Sequence, residues 1–120
     1  MSTIRRNFPR MPIVLNRAYD ILPAVERDID MVLGESVYTD YDFAEKRYGR
    51  VDEETYRRQV DLLQAARRRQ PKLRILTLDY WDPRDPRAIA DIYRVQKANG
   101  FSPYVATVEL DRLVPEPKTP

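Results

Sequence analysis

The sequence contains no cysteine and no histidine. Without cysteine the chain forms no disulfide and offers no thiolate to a metal. Without histidine it cannot use Ser-His-Asp or Cys-His catalysis, and it lacks the commonest protein ligand of zinc and iron. Acid, base and binding chemistry is left to carboxylates, tyrosines, arginines and lysines, and we expect neither a metal site nor a cofactor.

Glycine and long apolar runs are also scarce. The three glycines are Gly34, Gly49 and Gly100, so the sequence has no glycine-rich phosphate-binding loop. No apolar run approaches the roughly 18 residues that a membrane-spanning helix needs. The basic segment 1–10 lacks the apolar stretch of a signal peptide. We therefore expect no membrane span and no signal peptide in this sequence.

Charge is nearly balanced, with 21 basic and 19 acidic residues and a formal net charge of +2. So small a net charge produces no strong field to attract nucleic acid. The basic run Arg67–Arg69 is interpreted as the solvated outer face of a helix. We therefore expect no nucleic-acid partner.

Four short segments rich in valine, isoleucine and leucine are predicted strands: Pro12–Leu15, Met31–Leu33, Leu73–Leu78 and Pro103–Val108. Three of them are nearly continuous apolar runs. Such runs are typical of parallel strands that are buried on both faces.

The first strong helix is predicted from Asp52 to Gln70, with Asp52 as its N-cap and Pro71 as its stop. Acidic residues fill its first turn and arginines its last turn, as the helix dipole favours. Its inward stripe is predicted from helical spacing: Tyr56, Val60, Leu63 and Arg67, widened by Leu62 and Ala66.

A second helix is predicted to begin at the cap Asp85, with Pro86 in its first turn, and to end at Asn99-Gly100. A short helix is predicted over Pro23–Arg27, and Ser2–Arg10 resembles the end of a helix followed by a turn. The order β-α-β-α-β-α-β predicts parallel βαβ units, either in a barrel or in a doubly wound, flavodoxin-like sheet.

Polar and aromatic residues follow each predicted strand, where parallel α/β folds bind their ligands. They are Asn16-Arg17, Glu35-Ser36, Asp79-Tyr80-Trp81-Asp82, and Tyr104 with Thr107 and Glu109. A carboxyl group that leaves an apolar strand, as Glu35 does, suits a general acid. An ion pair between Glu35 and Arg17 is the structural alternative.

Asp79 is a second candidate, for which a capping or turn role is equally open. Tyr80, Trp81 and Tyr104 could stack on sugar rings, or they could simply cover the mouth of a barrel. The tyrosine-rich segment 37–49 is predicted as a long loop that contacts substrate or packs on the surface.

Five blocks of the sequence resemble the closing blocks of one family: Pro12–Pro23, Met31–Val37, Ile75–Tyr80, Asn99–Val105 and Glu109–Asp111. That family is the family 114-like endo-α-1,4-polygalactosaminidases, with the related hydrolase domain of the Pel exopolysaccharide system. The order and spacing of the blocks also match, from about Pro12 to Pro115. Ala18 departs from the pattern, since glycine or a similar small residue is expected there.

The resemblance implies an α/β fold that is the C-terminal half, strands 5–8, of a (β/α)8 TIM barrel. Residues 1–115 would form this partial barrel, and residues 116–120 would be a tail. It further implies a secreted or periplasmic hydrolase of α-1,4-linked, galactosamine-rich polysaccharide. Such enzymes usually place two carboxyl groups about the scissile bond.

By the same resemblance Glu35 is the catalytic glutamate, and Asp79 or an aspartate of the absent first half is its partner. Substrate-binding residues would be Asn16, Arg17, Tyr80, Trp81 and Tyr104.

Two alternatives remain open at this point. The chain could be a non-catalytic fragment or carbohydrate-binding remnant, because a half barrel lacks one of the expected carboxylates. It could also pair, either with a missing N-terminal half or with a second copy of itself, because a half barrel has two open strand edges.

Overall fold

A computed structural model describes residues 2–117 and contains four parallel strands in one sheet. The strands are β1 (Val14–Asn16), β2 (Met31–Glu35), β5 (Arg74–Tyr80) and β6 (Ser102–Ala106), in the order β1-β2-β5-β6. All three pairings are parallel, so the four carboxyl ends lie at one edge of the sheet. The prediction of parallel βαβ units is confirmed.

Three helices connect the parallel strands at the predicted places: α2 (Leu22–Val25), α3 (Glu53–Arg69) and α4 (Pro86–Ala98). A further helix, α1 (Ser2–Asn7), precedes β1. The Asp52 carboxylate accepts a hydrogen bond from the Thr55 amide at the start of α3, and Asp85 caps α4 by accepting from the Ala88 amide. Both long helices therefore begin where their capping residues predict. None of the helices within residues 2–117 is both long and apolar enough to cross a bilayer.

One face of the sheet is packed under α3 and α4. Five residues of this face are at most 1% exposed: Val32, Ile75, Thr77, Asp79 and Val105. The apolar members pack against the buried sides of α3 and α4. This helix-covered face contains the core of the domain.

The opposite face, here called the open face, is only partly covered. Val14 is 47% exposed, and four further apolar side chains are half-buried: Met31, Leu33, Leu76 and Leu78. The expectation that the strands are buried on both faces is therefore wrong for residues 2–117. An apolar run shows that a strand could be buried on both faces. Which face is actually covered depends on elements elsewhere in the fold.

A β-hairpin replaces the predicted loop after β2. It consists of β3 (Thr39–Asp42) and β4 (Arg47–Arg50), paired antiparallel with Tyr41 opposite Tyr48. The turn between them is held by the Asp42 carboxylate, which accepts hydrogen bonds from the Ala44 and Glu45 amides at 2.9 and 3.1 Å. A period of two in Thr-Asp-Tyr-Asp and Arg-Tyr-Gly-Arg is the sequence signal for these strands.

The inward stripe of α3 is narrower than predicted. Leu62 and Arg67 were predicted in it but are exposed, while Tyr56, Val60, Leu63 and Ala66 are buried. The run Arg67–Arg69 is exposed, as predicted, and Arg69 in addition forms a bidentate pair with buried Glu26 at 2.7 and 3.0 Å. Arg67 donates to the Gly100 carbonyl. Long arginine side chains reach from an outer helix face to acceptors on neighbouring elements.

Two small residues, Gly34 and Ala18, lie near the carboxyl ends of β2 and β1. Gly34 lies so close to α3 and Tyr19 that a Cβ at this position would approach Val37 Cγ2 to 2.9 Å. Ala18 has a φ of 49°, in the left-handed region that favours glycine. Its departure from the family pattern therefore places a residue with a Cβ in a strained conformation.

The predicted tail, residues 116–120, lies partly outside the described residues, which end at residue 117. Within the described part, Glu116 accepts a hydrogen bond from the Lys97 ammonium at 2.7 Å.

Candidate active site

Glu35 is the last residue of β2 and lies on the open face at the carboxyl edge of the sheet. Its Oε2 atom accepts a 2.7 Å hydrogen bond from the Tyr80 hydroxyl, which comes from the last residue of β5. The two meet because Glu35 pairs with Leu78 in the parallel register, and Tyr80 follows two residues later on the same face. The sheet therefore joins two of the predicted site residues directly.

Tyr80 keeps its proton over the whole physiological range. Burial raises the pKa of Tyr80 well above its usual value, and the hydrogen bond to Glu35 raises the pKa further. A tyrosine that stays protonated is a permanent donor, so it fixes the orientation of the Glu35 carboxyl group.

Arg17 follows β1 and donates from Nη2 to the backbone oxygen of Glu35 at 3.0 Å. Within residues 2–117 no ion pair joins the Arg17 guanidinium to the Glu35 carboxylate, so the salt-bridge alternative is not what the side chains form. Asn16 is also exposed at this edge, in register with Leu33. Arg17 and Asn16 thus lie next to Glu35 without occupying its carboxylate.

A cleft of about 430 Å³, here called the Glu35 cleft, opens beside these residues. Its lining joins the ends of β1 and β2 to α3 and includes Arg17, Tyr19, Glu35, Gln59 and Leu62. The Tyr19 hydroxyl donates to Gln59 Oε1 at 3.1 Å, and burial raises the pKa of Tyr19 above its usual range. Tyr19 and Gln59 were missed by the sequence analysis, because neither lies at a strand end.

Asp79 points away from Glu35. It occupies the helix-covered face, is completely buried, and accepts hydrogen bonds from the Tyr38 and Thr39 amides at 2.8 and 3.0 Å and from Gln96 Nε2 at 2.9 Å. Burial raises the pKa of Asp79, against the opposing effect of these donors. Because residues alternate along a strand, Asp79 cannot face the same side as Leu78 and Glu35.

Trp81 and Tyr104, the other two predicted aromatic site residues, each have one side-chain hydrogen bond. Trp81 Nε1 donates to Asp85 Oδ2 at 3.2 Å. The Tyr104 hydroxyl accepts from the Val114 amide at 3.0 Å, and Tyr104 pairs with Leu78, which places it on the open face with Glu35. Tyr104 and Tyr80 therefore share a face with Glu35, whereas Trp81 lies beyond the end of β5.

Among the side chains of residues 2–117, no group of three carboxylates or other strong ligands lies close enough to hold an ion. The acidic residues at this edge instead pair with amides, hydroxyls and arginines.

Neither a family model nor a curated protein matches this sequence. Among solved structures, the fold is similar to the glycoside hydrolase domain of PelA from Pseudomonas aeruginosa, with a TM-score of 0.81 at 24% identity over 96% of this chain. A variant of that domain with one glutamate replaced by alanine matches with a TM-score of 0.80 at 23% identity. The chain spans 45% of that domain's length, so its fold is that of a part of a glycoside hydrolase domain.

Proposed function

We propose that this chain forms strands 5–8 of a (β/α)8 barrel and contributes part of the active site of a glycoside hydrolase. The fold likeness to under half of a glycoside hydrolase domain supports this. So do the four parallel strands with outer helices on one face. The open face would be the barrel interior, and its half-buried Leu33, Leu76 and Leu78 would pack against the four other strands.

Glu35 is the catalytic carboxylate in this proposal. The observation that carries it is the contact between Glu35 and Tyr80 on the open face, at the carboxyl edge where barrel enzymes place their chemistry. Glu35 would protonate the leaving glycosidic oxygen or act on the opposite side of the bond, as one of a pair of carboxylates. Tyr80 would hold the carboxyl group in position throughout the reaction.

Asp79 has a positioning role in this proposal, although it was predicted as a second catalytic carboxylate. Its oxygens are occupied by two amides and Gln96, and it is buried on the far side of the sheet. The partner carboxylate would then come from the other half of the barrel. Asn16, Arg17, Tyr80, Trp81 and Tyr104 would contact the substrate.

The proposed substrate is an α-1,4-linked, galactosamine-rich polysaccharide, cleaved outside the cytoplasm. The sequence blocks that resemble polygalactosaminidases support this choice of sugar and location. The four missing strands would be supplied by an N-terminal half or by a second copy of this chain.

A chimera tests the proposal. Residues 2–117 would replace the corresponding half of the PelA hydrolase domain, and release of reducing ends from an α-1,4-galactosamine polymer would be measured. We expect hydrolysis by the chimera and a loss on the order of 10³-fold in kcat for Glu35→Gln, because the proton transfer is lost. Glu45→Gln, on the exposed hairpin turn, is the matched control and should retain activity.

Full hydrolysis by the Glu35→Gln chimera would overturn the assignment. A folded chimera that binds the polymer but never cleaves it would favour the other candidate, a non-catalytic carbohydrate-binding fragment. The specific observation behind that candidate is that Asp79, the second predicted catalytic carboxylate, is buried on the helix-covered face and does not lie beside Glu35.

A further inference from the structure

The hairpin divides the carboxyl edge of the sheet into two clefts. The Glu35 cleft includes Asp40 of β3 in its lining. A second cleft of about 460 Å³, here called the outer groove, lies between the other side of the hairpin and the segment after β5. Its lining includes Tyr41 and Tyr48, which form a cross-strand pair. Because Asp40 and Tyr41 are successive strand residues, they face opposite sides of the hairpin.

Three aromatic rings line the outer groove, and a fourth, Phe43, continues their row at the hairpin tip. From the hairpin tip to the sheet they are Phe43, Tyr41, Tyr48 and Trp81, with successive ring centroids 5.0, 4.9 and 6.1 Å apart. Phe43 is 73% exposed, and the other three rings are half-buried. Single exposed aromatics are ordinary on protein surfaces, whereas these rings are contiguous. Successive rings from Phe43 to Tyr48 meet edge to face, with interplanar angles of 80° and 68°, so the row presents both faces and edges of its rings.

The row is fixed to the sheet rather than free to move. The Tyr48 hydroxyl accepts a hydrogen bond from the Val108 amide at 3.3 Å, just after β6. At the sheet end, the Trp81 amide donates to the Ala106 carbonyl at 3.1 Å, and its indole donates to Asp85. At the base of the hairpin, the buried Asp79 carboxylate binds the Tyr38 and Thr39 amides. Rings held in place lose little entropy when a ligand binds.

The charged groups around the row are balanced in sign. Three are basic and three acidic: Lys46, Arg47, Arg84, Asp82, Asp85 and Glu109. A balanced lining does not attract a polyphosphate backbone, which requires clustered positive charge. It does provide both donors and acceptors beside apolar rings, and a sugar ring has an apolar face edged by hydroxyl or amino groups.

We infer that the outer groove is a second saccharide subsite, which binds a segment of the polysaccharide chain away from Glu35. Pyranose rings stack on the row while the flanking charged side chains bind the hydroxyl and amino groups. This deepens the proposed function and rests on its choice of a polysaccharide substrate. Binding at this subsite does not require Glu35.

The tryptophan provides a direct measurement, because Trp81 is the only tryptophan of the chain. Tryptophan fluorescence would be followed while the chain is titrated with soluble α-1,4-linked galactosamine oligosaccharides. We expect a saturable change, an affinity at least about fivefold weaker for Phe43→Ala and for Tyr41→Ala, and no effect of Glu35→Gln. Phe43 is exposed, so its removal leaves the fold intact.

Phe8→Ala is the matched control, since Phe8 is 51% exposed but lies just after α1 and is not part of the aromatic row. The inference is overturned if fluorescence does not respond, if Phe43→Ala, Tyr41→Ala and Phe8→Ala bind alike, or if inorganic polyphosphate gives the response instead of the sugar. A lost response in Glu35→Gln would also overturn it, because binding would then belong to the Glu35 cleft. Binding that survives while the chimera fails to hydrolyse would refute the proposed enzyme and retain the subsite.

Discussion

Asp79 and Glu35 are carboxylates at the ends of neighbouring strands, yet the sheet gives them opposite surroundings. Glu35 faces the open side and accepts from one tyrosine. Asp79 faces the helices and accepts from two amides and one glutamine. Both the Tyr38 and the Thr39 amides donate to the same Asp79 oxygen, so Asp79 ties the base of the hairpin to the sheet.

Removing that acceptor should be strongly destabilising. We expect Asp79→Ala to lower the free energy of unfolding by roughly 3 kcal/mol, because buried donors lose their partner. Asp79→Asn should lose much less, since its Oδ1 can still accept from both amides. Urea unfolding at fixed protein concentration measures both variants. Equal losses for the two variants would show that the carboxylate geometry is not what holds the hairpin.

We also expect the difference in stability between the native chain and Asp79→Asn to depend on pH. Burial raises the pKa of Asp79 in the folded chain above its ordinary value of 3.8, so the folded state binds this proton more tightly than the unfolded state. The stabilisation is therefore complete below the pKa that Asp79 has in the unfolded chain. It declines as the pH rises through the higher pKa that Asp79 has in the folded chain. The stability of the native chain relative to Asp79→Asn should fall as the pH is raised from about 3, and a flat difference would contradict this.

At the scale of the elements, α2 and α3 are joined by an ion pair across the layer. Glu26, which ends α2, is only 5% exposed and receives both hydrogen bonds of Arg69 in the last turn of α3. A buried carboxylate needs a partner, so this contact is more consequential than the exposed pairs along α3 itself.

Arg69→Ala should lower the free energy of unfolding by clearly more than the control variant does, since Glu26 is left buried without its guanidinium. Arg68→Ala is the matched control, because Arg68 is exposed in the same turn and should change stability by less than about 0.5 kcal/mol. Thermal or urea unfolding compares them. Similar losses for both variants would mean that the buried pair contributes nothing specific.

At the scale of the whole molecule, the sheet has one covered face and one open face. Within residues 2–117, β1 and β6 each pair on one side only, so both outer strands present unpaired backbone groups. The apolar side chains of the open face add to this, and surfaces of this kind associate. In a complete barrel the four other strands would cover both edges and the open face.

The isolated chain should therefore self-associate, with a mass of at least twice 14.2 kDa in light scattering. Val14→Lys should weaken the association, because Val14 lies on the edge strand of the open face and is 47% exposed. Leu113→Lys, at an 85% exposed position outside the sheet, should leave it unchanged. A monomer at every concentration would show that the open face is tolerated without a partner.

Sequence by itself determined the elements whose signals are local. Apolar runs located all four parallel strands, and the caps Asp52 and Asp85 located both long helices, because these interactions span only a few residues. The hairpin was missed, although its period of two was visible, because the pattern is short and its anchor, Asp79, lies far along the chain. The polar and aromatic residues at the strand ends were also predicted together, because each directly adjoins an apolar run in the sequence.

Only the tertiary structure decided which face each side chain occupies. The register of β2 against β5 joins Glu35 to Tyr80, and the packing of α3 and α4 buries Asp79 on the other side. Likewise, the contact between Arg69 and Glu26 depends on the packing of α2 against α3. A strand sequence specifies that neighbours alternate but not which alternate faces the helices, and that choice depends on contacts between distant segments.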